Sequence, residues 1–273
     1  MDKALIFYQH SRQLTGSTFN MFEYFITILE HNPDFKLIIL NAKQNDKVKD
    51  IDYYCNIFEN RYDLNDIDYK KNILALDYKD IVKLNRTLKK ILVLDYGTVI
   101  RIKNLVPLPK IIHLAEKTDD PNYRFSSKSD VTIYGEMPFH IWDVKYRMKL
   151  AFKRFKKLNT VEKAVYIYSP LNEDTSYIKS LNIPKDKRII LKTDNHLANL
   201  FEQFDEYIYY HGNKVWDQHP RLFLECAYYN KKITYINNYG VKDGSYYRYH
   251  DLMKNGLKNR TLTKDDAIVK LFI

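Results

Sequence analysis

The chain has 273 residues, of which 45% are hydrophobic and 29% charged, with 44 Lys and Arg against 34 Asp and Glu. That is too apolar for a disordered chain and too long for a disulfide-stapled miniprotein, and it allows one large domain or two of roughly 130 residues each. The net charge of +10 favours a phosphate-bearing partner such as nucleic acid or a nucleotide. Scarce Gly and Pro beside abundant Lys, Asn, Ile and Tyr is also what AT-rich coding produces, so charge alone does not choose the partner.

From the amino end, Ala4–Tyr8 is a short apolar run and reads as a buried strand. Gly16-Ser17-Thr18 follows, and Ser17 or Thr18 can cap a helix. Phe19, Phe22, Phe25, Ile26 and Leu29 recur at helical spacing until Pro33, and 35–40 is the next strand. Strand, helix and strand within about forty residues make a βαβ unit with parallel pairing. Further strands are predicted at 72–76, 91–94, 110–114 and 131–134, with a helix at 80–90. Turn signals stand at Asp95-Tyr-Gly97, Pro107-Leu-Pro109 and Asp119-Asp-Pro121.

Residues 143–158 form a basic amphipathic helix with Met148, Ala151, Phe152 and Phe155 on its apolar side. A second α/β series begins after it. Strands are predicted at 164–168, 188–191, 206–210 and 232–237. Helices are predicted at 174–181, 197–204, 220–230, 245–255 and 264–272. The expected fold is α/β, with two doubly wound Rossmann-like domains facing a central cleft; one large sheet is the alternative. The expected divisions are 1–142, a connecting helix 143–160, and 161–273, with the last helix packing back on the first domain. Cys55 and Cys226 are too few for a disulfide framework or a four-ligand zinc site, and both read as buried thiols. The first apolar run is too short for a signal peptide and no run of about 18 apolar residues occurs, so a cytoplasmic protein of a bacterium or a phage-infected host is expected.

The stretch 206–240 reads as strand, loop, helix, strand, loop. The loop 211–218 enters a helix whose first turn holds Pro220, the favoured first helical position. In an open α/β sheet, ligands bind outside the carboxyl ends of the strands, and free N–H groups at a helix N-terminus suit a diphosphate. Lys214, His219 and Arg221 can add donors there. Arg221 and Glu225 lie four apart, away from the stripe of Leu222, Phe223, Cys226 and Ala227, and an ion pair on the helix surface is the plain alternative for them.

Asp217 precedes Glu225 by eight positions, with a strand before and a helix between. This resembles the E-x7-E element of the GT-B class of nucleotide-sugar glycosyltransferases, with Asp for the first Glu. The resemblance implies that Asp217 contacts the transferred sugar and Glu225 the ribose hydroxyls. It also implies that the loop after the first strand, with Gly16 and Ser17, touches donor phosphate or acceptor. His10 falls where inverting members of the class place a base, and His113 where retaining members place a histidine against the sugar. Retention is favoured, because it needs no acceptor base and fits the acid pair better. The class uses a nucleotide sugar as co-substrate and no other cofactor. No spaced pair of aspartates stands in a strand-end loop, so no metal is expected. The chain departs from the class in having Gly16 as the only glycine of its first ninety residues, and Ser169-Pro-Leu-Asn172 where an Arg/Lys pair is usual.

The acceptor is read from the basic helix. Lys145, Lys149, Lys153 and Lys156 could track phosphates, and a second basic group lies at Lys83, Arg86, Lys89, Lys90, Arg101 and Lys103. With 24 Tyr and 14 Phe available to stack on a base, the chain is similar to small glycosyltransferases that modify hydroxymethylated bases of phage DNA. Double-stranded DNA is therefore the expected acceptor. A surface polysaccharide or other glycan is the alternative acceptor, and a non-catalytic nucleic-acid-binding α/β protein the alternative class.

Overall fold

The computed structural model describes residues 2–9, 16–41, 51–94, 96–107, 110–113, 132–133, 154–157, 166–168, 182–190, 201–211, 225–226, 228–237 and 272. Among these the chain is α/β, and its strands form two wholly parallel sheets. It divides into two compact units, one of Met1–Arg154 with Thr261–Ile273, the other of Phe155–Arg260.

In the first unit, β1 (Lys3–Gln9), β2 (Lys36–Asn41), β3 (Ile73–Asp77), β4 (Lys90–Val93), β5 (Ile111–His113) and β6 (Thr132–Ile133) run in the order β3-β2-β1-β4-β5-β6. The six strands fall where β-branched and leucine runs predict them. Such runs suit strands covered on both faces. Alternate residues of β1 go to opposite faces, and Ala4 and Ile6 are as fully buried as Leu5. Ala4, Ile6 and Tyr8 belong to a core with Ile81, Leu88, Val99 and Ile102 from the chain between β3 and β5.

An aromatic core is built on α1 (Gly16–Leu29) and α2 (Ile51–Arg61). Phe22 of α1 stacks on Phe58 of α2 with ring centroids 3.6 Å apart, and Phe19 meets Phe58 edge-on. Buried Asn72 donates to the carbonyls of Pro33 and Phe35 at 2.6 and 2.8 Å, which fixes the turn leading into β2. Phe272 closes the same region: its ring lies against Phe35, and its carbonyl accepts from Asn32 Nδ2 at 2.7 Å.

Four elements of the first unit differ from the sequence expectation. α2 was not predicted, although Ile51, Tyr54, Cys55 and Phe58 stand at helical spacing. The helix expected at 80–90 is a 3-10 turn at Tyr78–Asp80 followed by one α-turn, α3 (Ile81–Leu84). It stops because Thr87 turns its amide and hydroxyl back onto the Leu84 carbonyl, and Lys90 already belongs to β4. The turn signal Asp95-Tyr-Gly97 instead leads into α4 (Tyr96–Ile102). α1 begins at Gly16, so Ser17 and Thr18 lie in its first turn rather than capping it.

The second unit holds β7 (Tyr166–Tyr168), β8 (Arg188–Ile190), β9 (Glu206–His211) and β10 (Lys232–Asn237), in the order β10-β9-β7-β8. Of the helix expected at 197–204, Phe201–Glu202 is a 3-10 turn that the chain has left by Phe204. The basic helix expected to run to 158 has ended by Phe155, and Lys156 and Lys157 are not helical. The helices expected at 174–181 and 245–255 lie outside the described residues.

Cys55 and Cys226 are free and buried, and burial pushes both thiols up from their ordinary range. The folded thiols therefore hold their protons more tightly than the unfolded ones. Their contribution to stability is full below the free-thiol value of about 8.5 and is lost as pH rises past it. Neither thiol should react with a disulfide reagent in the native protein within minutes, whereas both should in guanidinium. The melting temperature should fall between pH 8 and 10; rapid labelling of the native chain would contradict this packing.

Candidate functional site

Each sheet changes its direction of winding once, and each parts at that point. In the first unit the reversal lies between β1 and β4. β1 stays paired with β2 as far as Gln9↔Asn41, but its pairing with β4 ends at Leu5↔Leu92. The buried Tyr8 N–H donates instead to Thr98 Oγ1 of α4 at 2.8 Å. Thr98 thus takes up a β1 amide where the pairing with β4 has stopped, at the carboxyl ends of the strands, the place where doubly wound sheets bind ligands. Gly16 and Ser17 open α1, the helix following β1, and His113 is the last residue of β5, in register with Val93. His10 lies outside the described residues. Thr98 was not singled out from sequence, because the Gly97 before it reads as a turn.

In the second unit the reversal lies between β7 and β9. Their pairing ends at Ile167↔Tyr207, whereas β9 continues beside β10 to Asn237↔His211. The segment 212–224, with Lys214, Asp217, His219 and Arg221, therefore leaves the end of a strand that flanks the reversal. Those four residues lie outside the described ones.

Beyond that segment, the chain is helical at Glu225, Cys226 and Tyr228, and Asn230 ends the helix. Asn230 has φ 56°, and the Lys231 amide reaches back to the Cys226 carbonyl at 2.7 Å, closing the helix with a left-handed cap. The chain then enters β10, parallel to β9. Lys232 Nζ reaches Glu206 Oε2 at 3.0 Å, across the first pair of that register.

Glu225 is 1% exposed, so it does not lie on a solvated helix face, which the alternative of a surface ion pair would require. The reason is the width of the apolar stripe: Cys226 and Tyr229 are both buried, and Glu225 lies one and four residues from them. Tyr229 packs on Phe201 and Phe155 with ring centroids 4.8 and 5.7 Å apart, and its hydroxyl donates to the Lys156 carbonyl at 3.4 Å. The backbone that carries Glu225 is thereby held on two sides. A fully buried carboxylate is rare in protein interiors unless it is engaged by a partner.

Of the basic helix, Lys145, Lys149 and Lys153 lie outside the described residues and Lys156 is exposed. Arg154 does not belong to a solvated face. Its side chain is 11% exposed, paired with Glu30 and, at 2.7 Å, with Asp66. Its carbonyl accepts from the Asp63 amide at 2.7 Å, and its Nη1 donates to the Asp63 carbonyl at 3.2 Å. With Phe22, Glu23 and Tyr62 it lines a recess of ≈ 10 Å³, the space of about one water molecule. Arg154 is therefore tied to the end of α1 and to the 63–66 turn within the first unit.

Among the described residues, no cluster of three or more His, Cys, Asp or Glu is arranged to hold a metal ion, and no helix is long and apolar enough to cross a membrane. No protein-family model matches the chain, and no curated protein matches it either.

Proposed function

We propose that the chain is a GT-B-type glycosyltransferase, built from two Rossmann-like domains, that moves a sugar from a nucleotide-sugar donor to a hydroxyl on a modified base of duplex DNA. The observation that carries the reading is the β9–helix–β10 unit. A segment holding Lys214, Asp217, His219 and Arg221 follows β9 in the sequence, β9 flanks the winding reversal, and the helical turn that enters the parallel β10 carries the buried Glu225.

On this reading the helix N–H groups, Lys214, His219 and Arg221 meet the diphosphate, whose charge grows as it departs. Preorganised donors of this kind lower the barrier most, because they are already aimed when the charge appears. Asp217 steadies the transferred sugar as it becomes oxocarbenium-like, and Glu225 takes the ribose hydroxyls. His113, at the end of β5, meets the transferred sugar, and the first turn of α1, with Gly16 and Ser17, touches donor phosphate or acceptor. His10 would serve as base only in an inverting reaction, and the reading favours retention. Neutralisation of the leaving group by helix and cations leaves no step that requires a metal ion.

A melting-temperature panel with UDP-, GDP-, ADP- and CMP-linked sugars tests this. One base type at about 100 times its Kd should stabilise the protein by about 2.7 kcal/mol, a rise of several degrees. A flat response to all four, with a salt-sensitive shift by DNA, would replace the enzyme with a binding protein.

A further inference from the structure

We propose that the face of the first unit built from residues 78–110 is a docking surface for the phosphate backbone of duplex DNA. It deepens the acceptor half of the reading above and rests on that reading for the choice of DNA. These 33 residues hold eight Lys or Arg against two Asp, so they carry six of the chain's ten net positive charges.

The charges are gathered by the fold. Tyr78 Oη donates to the Arg101 carbonyl at 2.6 Å, and Asn85 Nδ2 donates to the Leu105 carbonyl at 3.3 Å. These bonds lay the 78–86 segment beside the 101–105 segment, next to Lys79 and Arg86 on one side and Arg101 and Lys103 on the other. Beneath them Ile81, Leu88, Val99, Ile102 and Val106 are buried in one core, so the surface has a firm backing.

The neighbouring charges are already committed. Asp80 pairs with Lys83 at 2.7 Å, and Lys110 Nζ is spent on the Asn85 carbonyl at 2.5 Å. Lys79, Arg86, Arg101 and Lys103 are exposed and have no carboxylate within ion-pair distance among the described residues. Four like charges on two adjoining segments repel one another, and a polyanion relieves that repulsion while releasing its own counterions. An acidic membrane fits less well. Val82, 49% exposed, is the only exposed large hydrophobic among the described residues, and an interfacial helix needs an apolar face to bury.

The test measures binding of a 20-base-pair duplex to the full chain between 50 and 300 mM salt. It compares the wild type with the double variant Arg86→Glu/Lys103→Glu and the milder Arg86→Gln/Lys103→Gln, each checked by circular dichroism. The proposal expects the charge reversal to weaken binding at least about tenfold at 100 mM salt. It also expects the log–log salt slope to flatten by about two, from roughly 0.9 per neutralised phosphate, with the Gln pair intermediate. Equal affinity and slope for folded variants would overturn it while leaving DNA as acceptor. Binding of vesicles containing phosphatidylserine without binding of the duplex would overturn both the surface and DNA as the acceptor. The nucleotide-sugar shift is recorded in the same variants. Its absence from the wild type would end the transferase reading, whereas a duplex affinity lost in the variants would still support the surface.

Discussion

Replacing Phe58 by alanine is expected to cost the first unit about 3–5 kcal/mol, the range for a large buried aromatic truncated to a methyl group. Phe58 is fully buried, stacked on Phe22 at 3.6 Å and touched edge-on by Phe19. It joins α2 to α1, so no solvent can enter to fill the space and little backbone can collapse into it. Against a total stability of about 5–15 kcal/mol, the loss brings the unit near its unfolding threshold. Urea titration followed by far-ultraviolet circular dichroism measures it, and Phe58→Leu should lose distinctly less because most of the volume stays. A shift below about 1 kcal/mol for the alanine variant would mean that α1 and α2 do not share this core.

The second large effect concerns Glu225, whose burial decides which variant is informative. Alanine would remove a buried side chain and leave a cavity, so lost binding could reflect lost packing. Glu225→Gln keeps the volume and removes the charge. The Gln variant opens no cavity and should keep the melting temperature closer to that of the wild type than alanine does. Donor binding should still fall. Two bonds from ribose hydroxyls would no longer be charge-assisted, and the Kd of the active nucleotide sugar should rise on the order of 10–100-fold. Calorimetric titration against a melting curve separates the two responses. Unchanged affinity in the Gln variant would remove Glu225 from the donor site and take the anchor of the proposed function with it.

The strands were legible in the sequence because Leu37–Leu40 or Ile91–Val93 can satisfy only one environment, a parallel strand covered on both sides. Helices were less so. α2 hides its Tyr54, Cys55 and Phe58 among Asn, Asp and Glu, and its apolar stripe shows only when tyrosine is counted as core. The stretch after Asp80 shows the converse: its Ile and Leu spacing looks helical, but Asn85 and Thr87 offer the backbone side-chain partners that end the helix early. In the candidate site, the β9–helix–β10 order was readable to the residue at β10, whereas the burial of Glu225 was not. That burial depends on how wide a stripe Phe155 and Phe201 cover, and neither residue is near Glu225 in sequence. Arg154 was hidden for the same reason, since Glu30 and Asp66 lie far back along the chain.

The contact of Phe272 with the turn at Asn32–Phe35 has a consequence for how the protein is made. The hydrogen bond between Asn32 and Phe272 spans 240 positions, and all of the second unit lies between its two ends in the chain. A ribosome makes the strands and helices of the first unit early, yet that hydrophobic corner waits for a segment synthesised after the whole of the second unit. At about 5–20 residues per second, the wait is on the order of ten seconds or more. Throughout that time the edge of the aromatic core next to Phe35 lacks its cover. The nascent chain therefore passes through a state whose exposed surface the finished protein never shows, and chaperones would meet it there.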